Sequence, residues 1–217
     1  MINKTYQIIH NKYLRFYKIF FFLKYIFSIF LLSILLFLLI PKFFNYEKKQ
    51  EIIKEYLINK YDLKINNFSS IKFNILPLPN LSIENVNLNI KNEPIIINTN
   101  HLNIFLKFKN IYDYENFAAT KVSFDSVKVD LDIESAKSLK NYLTKLEYNL
   151  DVKDLNLNFK KKENSVLNIY KIKFSNYGFK ENKMEGKIFG KKFKAYLDED
   201  NKNFDFKVLD TGIKAYF

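Results

Sequence analysis

The chain has 217 residues, of which 48% are apolar, a formal net charge of +12 and no cysteine. The missing cysteine excludes disulfides and thiolate metal sites. The four glycines lie at positions 178, 186, 190 and 212, which excludes a glycine-rich phosphate loop from the first 177 residues.

The positive charge does not form a local patch. Five basic residues precede or interrupt the first apolar stretch, and subtracting them from +12 leaves +7 for the rest of the chain. There the lysines are scattered among Asp and Glu along strand-like segments rather than clustered. This pattern favours a solvated outer face over a nucleic-acid-binding surface, so we predict no nucleic-acid partner.

The first predicted element is a transmembrane helix at residues 19–40. This stretch contains one charge, Lys24, and as a helix it would extend about 33 Å, enough for a hydrocarbon core of about 30 Å. The alternative is a cleaved signal peptide, which has a shorter apolar core followed by small residues. Here Pro41, Lys42, Phe43 and Phe44 follow instead, which favours a retained anchor.

The orientation follows from the flanking charges. Residues 1–18 contain four basic residues and no acidic one. The positive-inside rule therefore predicts that residues 1–18 form a cytoplasmic stub and that residues 41–217 lie across the membrane.

Residues 41–62 are predicted to connect the anchor to a domain through an amphipathic helix, roughly Asn45 to Lys60. Its apolar face combines Tyr46, Ile53, Tyr56 and Leu57 at helical spacing. Such a helix either plugs the end of a sheet or lies on the membrane surface. Its polar face mixes Glu with Lys, which favours the plug, because interfacial helices have a basic polar face.

Residues 63–217 are predicted to form a mainly β domain, since apolar residues recur there with a period of two. Pro77 and Pro79 mark a break between strands, and residues 92–94 mark a turn. Residues 134–147 return to helical spacing. We expect nine or ten strands in an antiparallel meander with one inserted helix.

Strict alternation gives a sheet with one apolar face, and two short helices cannot cover the face of so many strands. The sheet must therefore close on itself, pack against a second sheet, curl around something apolar or meet a partner. Of these we predict a curled, groove-like antiparallel sheet. Its apolar residues either contact membrane lipids or form an ordinary core; in the second case exposed edges would bind envelope proteins or another copy by strand addition. The residues concerned are Ile71, Phe73, Ile75, Val86, Leu88, Ile90, Leu102, Ile104, Leu106, Val122, Phe124, Val127, Val129 and Leu131.

The order of these elements resembles the N-terminal part of the AsmA family of envelope proteins. The shared succession is an anchor, Phe44-Asn45-Tyr46, a helix, and the Pro-x-Pro-x-Leu element at residues 77–81. Strands at residues 102–106 and 122–131 follow. The resemblance is good over residues 19–135 and weaker over 148–210.

The resemblance implies a protein of the bacterial inner membrane with a single membrane pass and a periplasmic β-groove. Relatives with this architecture are thought to carry phospholipid toward the outer membrane or to support its assembly. For this chain it implies phospholipid binding or transfer in outer-membrane biogenesis, and the alternative is a scaffold for envelope proteins.

No residue pattern indicates an enzyme, a metal site or a cofactor. His10 lies in the stub, and His101 beside a strand has no histidine partner. Asp130 and Asp132 alternate along a polar strand face, and the acidic run at residues 198–201 lacks the ligand spacing of a calcium loop. We interpret these groups as solvated surface.

Overall fold

The computed structural model describes residues 2–113, 116–162, 164–197 and 204–216. The chain forms two compact units, Met1–Phe44 and Asn45–Phe217.

The first unit is helix α1, Ile2–Leu39, followed by a 3₁₀ turn at Ile40–Phe43. Its segment Phe16–Phe43 is long and apolar enough to span a membrane. This confirms the predicted apolar helix, although α1 begins before the predicted boundary at residue 19. The reason is local, because no glycine or proline occurs before Pro41 to interrupt the helix.

The second unit contains helices α2, Gln50–Tyr61, and α3, Ala136–Lys145. Its strands are β1 Leu63–Asn67, β2 Ser70–Asn74, β3 Asn80–Ile90, β4 Ile96–Leu106, β5 Ala119–Asp132, β6 Leu150–Lys161, β7 Asn164–Ser175, β8 Lys183–Ile188, β9 Lys191–Leu197, β10 Phe204–Val208 and β11 Lys214–Tyr216.

Within the described residues these strands form one open sheet in the order β1-β3-β4-β5-β6-β7-β8-β9-β10-β11, and β2 pairs with the same strand, β3, as β1 does. The predicted class, mainly β with an N-terminal apolar helix and a curled sheet, is confirmed. One pair departs from the antiparallel pattern: β5 and β6 run parallel. The cause is α3, since a helical crossover returns the chain to the end where β5 began.

The curl of the sheet is evident from the residues that meet across it. In a flat sheet β1 and β8 would lie about 29 Å apart, six strand spacings. Leu63 on β1 and Met184 on β8 nevertheless line the same small cavity. The apolar side of the sheet, called here the inner face, therefore wraps around an interior.

A row of irregularities crosses the sheet at mid-strand. Glu84, His101, Asp125 and Lys153 are neighbours on successive strands β3 to β6. The next residue in β3, β5 and β6 has a left-handed backbone, as does Lys171 in β7: the φ angles are 50° at Asn85, 56° at Ser126, 53° at Asp154 and 54° at Lys171. Such bulges bend a strand and increase its twist.

The sequence compensates for this row. Apolar residues change from a spacing of two to a spacing of three where the row crosses, at Ile83–Val86, Phe124–Val127, Val152–Leu155 and Ile169–Ile172. The extra residue restores the phase, so apolar side chains stay on the inner face in both halves of each strand.

Helix α2 fills the first half of the interior. Its Ile53, Leu57 and Tyr61 are buried, and the Tyr56 hydroxyl accepts a hydrogen bond of 3.1 Å from the Ala119 N–H at the start of β5. Before the helix, Tyr46 stacks on Phe73 with ring centroids 6.0 Å apart. The structure therefore confirms the plug interpretation of this helix.

The far end of the inner face is closed by an aromatic ring. A Cβ atom at Gly186 would lie 2.7 Å from the Phe193 ring, so only glycine permits the ring to lie across β8 at this point. Phe193 is buried, and its ring centroid lies 5.2 Å from that of Phe206 on β10. This packing shields the last strands without a helix.

The role of α2 predicts a large cost for shortening Leu57, which is fully buried. Leu57→Ala is expected to lower the free energy of unfolding by about 2–4 kcal/mol, through lost burial and the cavity left behind. Urea denaturation of the full chain in detergent, followed by circular dichroism, measures this. Glu55→Ala, at an exposed position of the same helix, should change it by less than about 0.5 kcal/mol. Equal effects of both substitutions would contradict the plug role.

Candidate functional site

The fourteen predicted site residues fall into two groups by burial. Thirteen are buried; the exception is Ile75, which is half-buried and directly follows β2. The strand pairings place the buried ones opposite one another, as with Leu102 and Phe124. Three of them, Phe124, Val127 and Val129, also line a small apolar cavity beneath α3. For the other ten, burial supports the core alternative. Lipid contact at these positions stays a prediction.

A gap in the packing lies farther along the sheet, beneath α3. This α3 cleft is a cavity of about 60 Å³ whose lining is wholly apolar. The lining comes from α3 and strands β1, β4, β5, β6, β7 and β8, including Leu139, Leu143, Val152, Phe174 and Met184. An interior normally has few voids larger than a water molecule. The α3 cleft is thus a part of the inner face that the protein's own side chains do not fill completely.

Helix α3 covers this cleft incompletely. None of its residues is fully buried, and Leu139 and Leu143, which line the cleft, are half-buried. A 3₁₀ turn at Ile133–Ser135 precedes the helix. Displacing α3 would expose no fully buried side chain of the helix itself, whereas displacing α2 would expose Ile53, Leu57 and Tyr61.

Tyr142 on α3 separates the apolar cleft from a polar one. Its ring helps to line the α3 cleft, while its hydroxyl donates a 2.8 Å hydrogen bond to the backbone carbonyl of Tyr61. On the other side Tyr142 lines a second cleft of about 310 Å³, called here the polar cleft. Its charged lining residues are Lys60, Asp62, Lys91, Glu93, Lys145 and Glu147.

Tyrosines fix the wall of the polar cleft. The Lys60 ammonium donates a 2.9 Å hydrogen bond to the Tyr148 hydroxyl, which raises the pKa of Lys60. The Tyr61 hydroxyl donates a 3.2 Å bond to the Asn149 carbonyl. Burial, and then the nearby Tyr56, raises the pKa of Tyr61. These contacts join the end of α2 to the segment before β6.

The arrangement is therefore amphiphilic. An apolar cleft without polar lining and a cleft lined by both positive and negative side chains meet at one tyrosine. Such a pair of environments suits a molecule with an acyl part and a charged or zwitterionic head.

Sequence reasoning missed the residues of the α3 cleft beyond β5. The predicted site ended at Leu131, whereas Val152, Leu155, Phe174 and Met184 line the cleft. The alternation through residues 150–174 and the stripe of Leu139 and Leu143 were visible signals. They specify apolar faces, but not which of those faces meet.

The histidine and acidic residues that the sequence offered as possible catalytic or metal-binding groups are not part of this site. His101 pairs across strands with Asp125 on the outer side. The Lys160 ammonium, and then the Asn158 amide, hydrogen-bond to Asp130 and hold its pKa below the usual range. Among the described residues no group of three His, Asp or Glu is placed to hold a metal ion. The acidic run at residues 198–201 lies outside the described residues.

Comparisons with protein-family models, with curated proteins and with solved structures each return no match. The resemblance to the AsmA family therefore stays a prediction that rests on the residue pattern alone.

Because of Tyr142, the free energy of unfolding should depend on pH in the alkaline range. Burial, and then the charge of Asp62, raises the pKa of Tyr142 above its ordinary value near 10. The unfolded chain releases this proton near pH 10 while the folded chain keeps it, so the free energy of unfolding falls as the pH rises above about 10.

Tyr142→Phe should lower the free energy of unfolding at pH 8 by about 1 kcal/mol, the contribution of one hydrogen bond. It should also make the decline between about pH 10 and pH 12 shallower. Urea denaturation at a series of pH values measures both effects. Tyr170→Phe, at an exposed position, serves as the control and should leave the profile unchanged. An identical decline in Tyr142→Phe and wild type would refute the assignment.

Proposed function

We propose that this protein is a membrane-anchored lipid-binding protein whose β domain holds phospholipid acyl chains in the α3 cleft. The observation that carries the proposal is the junction of a wholly apolar cleft and a charged cleft at Tyr142. An acyl chain in the α3 cleft would have apolar surroundings, and a headgroup in the polar cleft would have polar surroundings. The apolar helix is long enough to span a membrane, and that membrane would be the source of the lipid.

The size of the α3 cleft requires α3 to move. A volume of about 60 Å³ is about twice that of one water molecule in the liquid, and an acyl chain is many times larger. We infer a closed state in which Leu139 and Leu143 occupy the place of the chain. Displacing α3 would extend the cleft along β5 to β8, whose inner residues already form one apolar surface.

The cellular setting that we propose follows from the flanking charges and the AsmA resemblance. The N-terminus would lie in the cytoplasm and the β domain in the periplasm, with the anchor in a bacterial inner membrane. There the protein would bind or transfer phospholipid and support outer-membrane biogenesis.

A scaffold is the second candidate. It is favoured by the burial of thirteen predicted groove residues and by the open sheet, whose described edges are β1 with β2 on one side and β11 on the other. An edge strand offers unpaired backbone groups to another chain. The partner would be an envelope protein or a second copy.

Photolabelling distinguishes the two functions. The full chain is reconstituted with phospholipid that carries a diazirine on its acyl chain, irradiated and digested, and the labelled peptides are identified by mass spectrometry. Labels are expected on α3 and on β6 to β8. Met184→Gln places an amide in the cleft and should reduce this labelling about fivefold or more, because burying that amide costs about 1 kcal/mol or more.

Glu185→Gln is the matched control, since Glu185 is the exposed neighbour of Met184 on the same strand. It should label like the wild type. Labels confined to α1 would count against lipid binding by the domain. If, in addition, a Lys72→Cys variant on edge strand β2 forms a disulfide-linked dimer in membranes, the scaffold is favoured instead.

A further inference from the structure

Two adjacent loops of the domain display large apolar side chains to solvent. In the β2–β3 loop Leu76 is 81% exposed and Leu78 is 48% exposed, and in the β4–β5 loop Phe108 is 57% exposed. The loops are neighbours, since the Leu106 N–H donates a 3.0 Å hydrogen bond to the Pro79 carbonyl. Together Leu76, Leu78 and Phe108 form what we call the loop pair.

The backbone of the loop pair is held in place, so its apolar side chains are presented outward. The buried Asn80 amide donates a 2.8 Å hydrogen bond to the Leu78 carbonyl. In the second loop the Lys107 N–H donates to the Ala118 carbonyl at 3.1 Å, and the Asn110 N–H donates to the Lys107 carbonyl at 2.9 Å. These bonds fix the backbone of the loops in a conformation that leaves large apolar side chains exposed to water. Exposed apolar side chains on a fixed backbone are typical of an interaction site.

Charge identifies the surface that the loop pair suits. Exposed Lys107 and Lys109 flank Phe108 in the sequence, while the segment at residues 75–79 is uncharged. An aromatic ring between lysines matches the boundary of a bilayer, where the ring lies at headgroup level and ammonium groups meet lipid phosphates. A protein partner would not require uncharged leucines in one loop together with lysines on both sides of an aromatic ring in the other.

The path of the chain gives an independent argument. Tyr46 stacks on Phe73, the residue before the last of β2, so the domain begins beside the β2–β3 loop. Only three residue steps separate Tyr46 from Phe43, where the membrane-spanning segment ends. Three steps cover at most about 11 Å, so the backbone at Tyr46 lies within that distance of Phe43.

We propose that the loop pair docks on the membrane, with Leu76, Leu78 and Phe108 in the headgroup–acyl boundary of a phospholipid bilayer. Docking gives the domain two attachments to the membrane, the anchor and the loop pair, and so restricts its rotation. The proposal goes beyond lipid binding in the α3 cleft and does not depend on it.

Tryptophan fluorescence tests the docking cleanly because the chain contains no tryptophan. The full chain is reconstituted in vesicles of zwitterionic and anionic phospholipid, either unlabelled or brominated at a shallow acyl position. Leu76→Trp and Phe108→Trp provide the probes. Ile96→Trp is the control, since Ile96 is 52% exposed at the opposite end of β4, about 33 Å along the strand from Leu106.

We expect blue-shifted emission from Leu76→Trp and Phe108→Trp, at least twofold quenching by the brominated lipid, and weak quenching by aqueous acrylamide. Ile96→Trp should show the reverse. Circular dichroism confirms that each variant keeps its β content.

Equal acrylamide quenching in all three variants would overturn the proposal, and so would lipid quenching of Ile96→Trp alone. Protection from acrylamide without lipid quenching would also overturn it and would indicate a protein partner. None of these outcomes bears on photolabelling in the α3 cleft.

Discussion

The structure depends on keeping one continuous apolar sheet face away from water. Cross-strand pairs such as Leu88 with Ile97, Val129 with Leu157 and Phe174 with Met184 extend this face across most of the sheet. No second sheet is present among the described residues to cover it. The sheet therefore curls around its own apolar side, and the remaining volume is filled by helix α2 at one end and by the Phe193 ring at the other.

The bulge row makes this curl compatible with a single inner face. A left-handed residue such as Asn85 or Ser126 adds half a period to its strand, which by itself would turn the later side chains outward. Each strand offsets this by spacing its apolar residues three apart at the same point. Because the row crosses several neighbouring strands, the bends add up. Curvature is in this way encoded by polar residues on the outer side and apolar spacing on the inner side.

Beneath α3 the packing of the interior is incomplete, and there the polar and apolar environments adjoin. Helix α3 interrupts the meander, makes β5 and β6 parallel, and lines the α3 cleft together with residues of strands β1 and β4 to β8. Its attachment includes the hydrogen bond from the Tyr142 hydroxyl to the Tyr61 carbonyl, and none of its residues is fully buried. A helix held in this manner can be displaced at a smaller hydrophobic cost than α2, whose apolar face is fully buried.

The sequence by itself determined the apolar helix, the β class, the breaks at Pro77 and Asn92, and which residues share the inner face. These depend on local spacing and on chain length in a bilayer, which are properties of neighbouring residues. Only the tertiary structure decided that α2 buries Ile53, Leu57 and Tyr61 in the domain, and that a small apolar gap lies beneath α3. The reason is that alternation states which side chains are apolar, whereas the curl, set by bulges in several strands together, determines which of them meet and how much space is left between them.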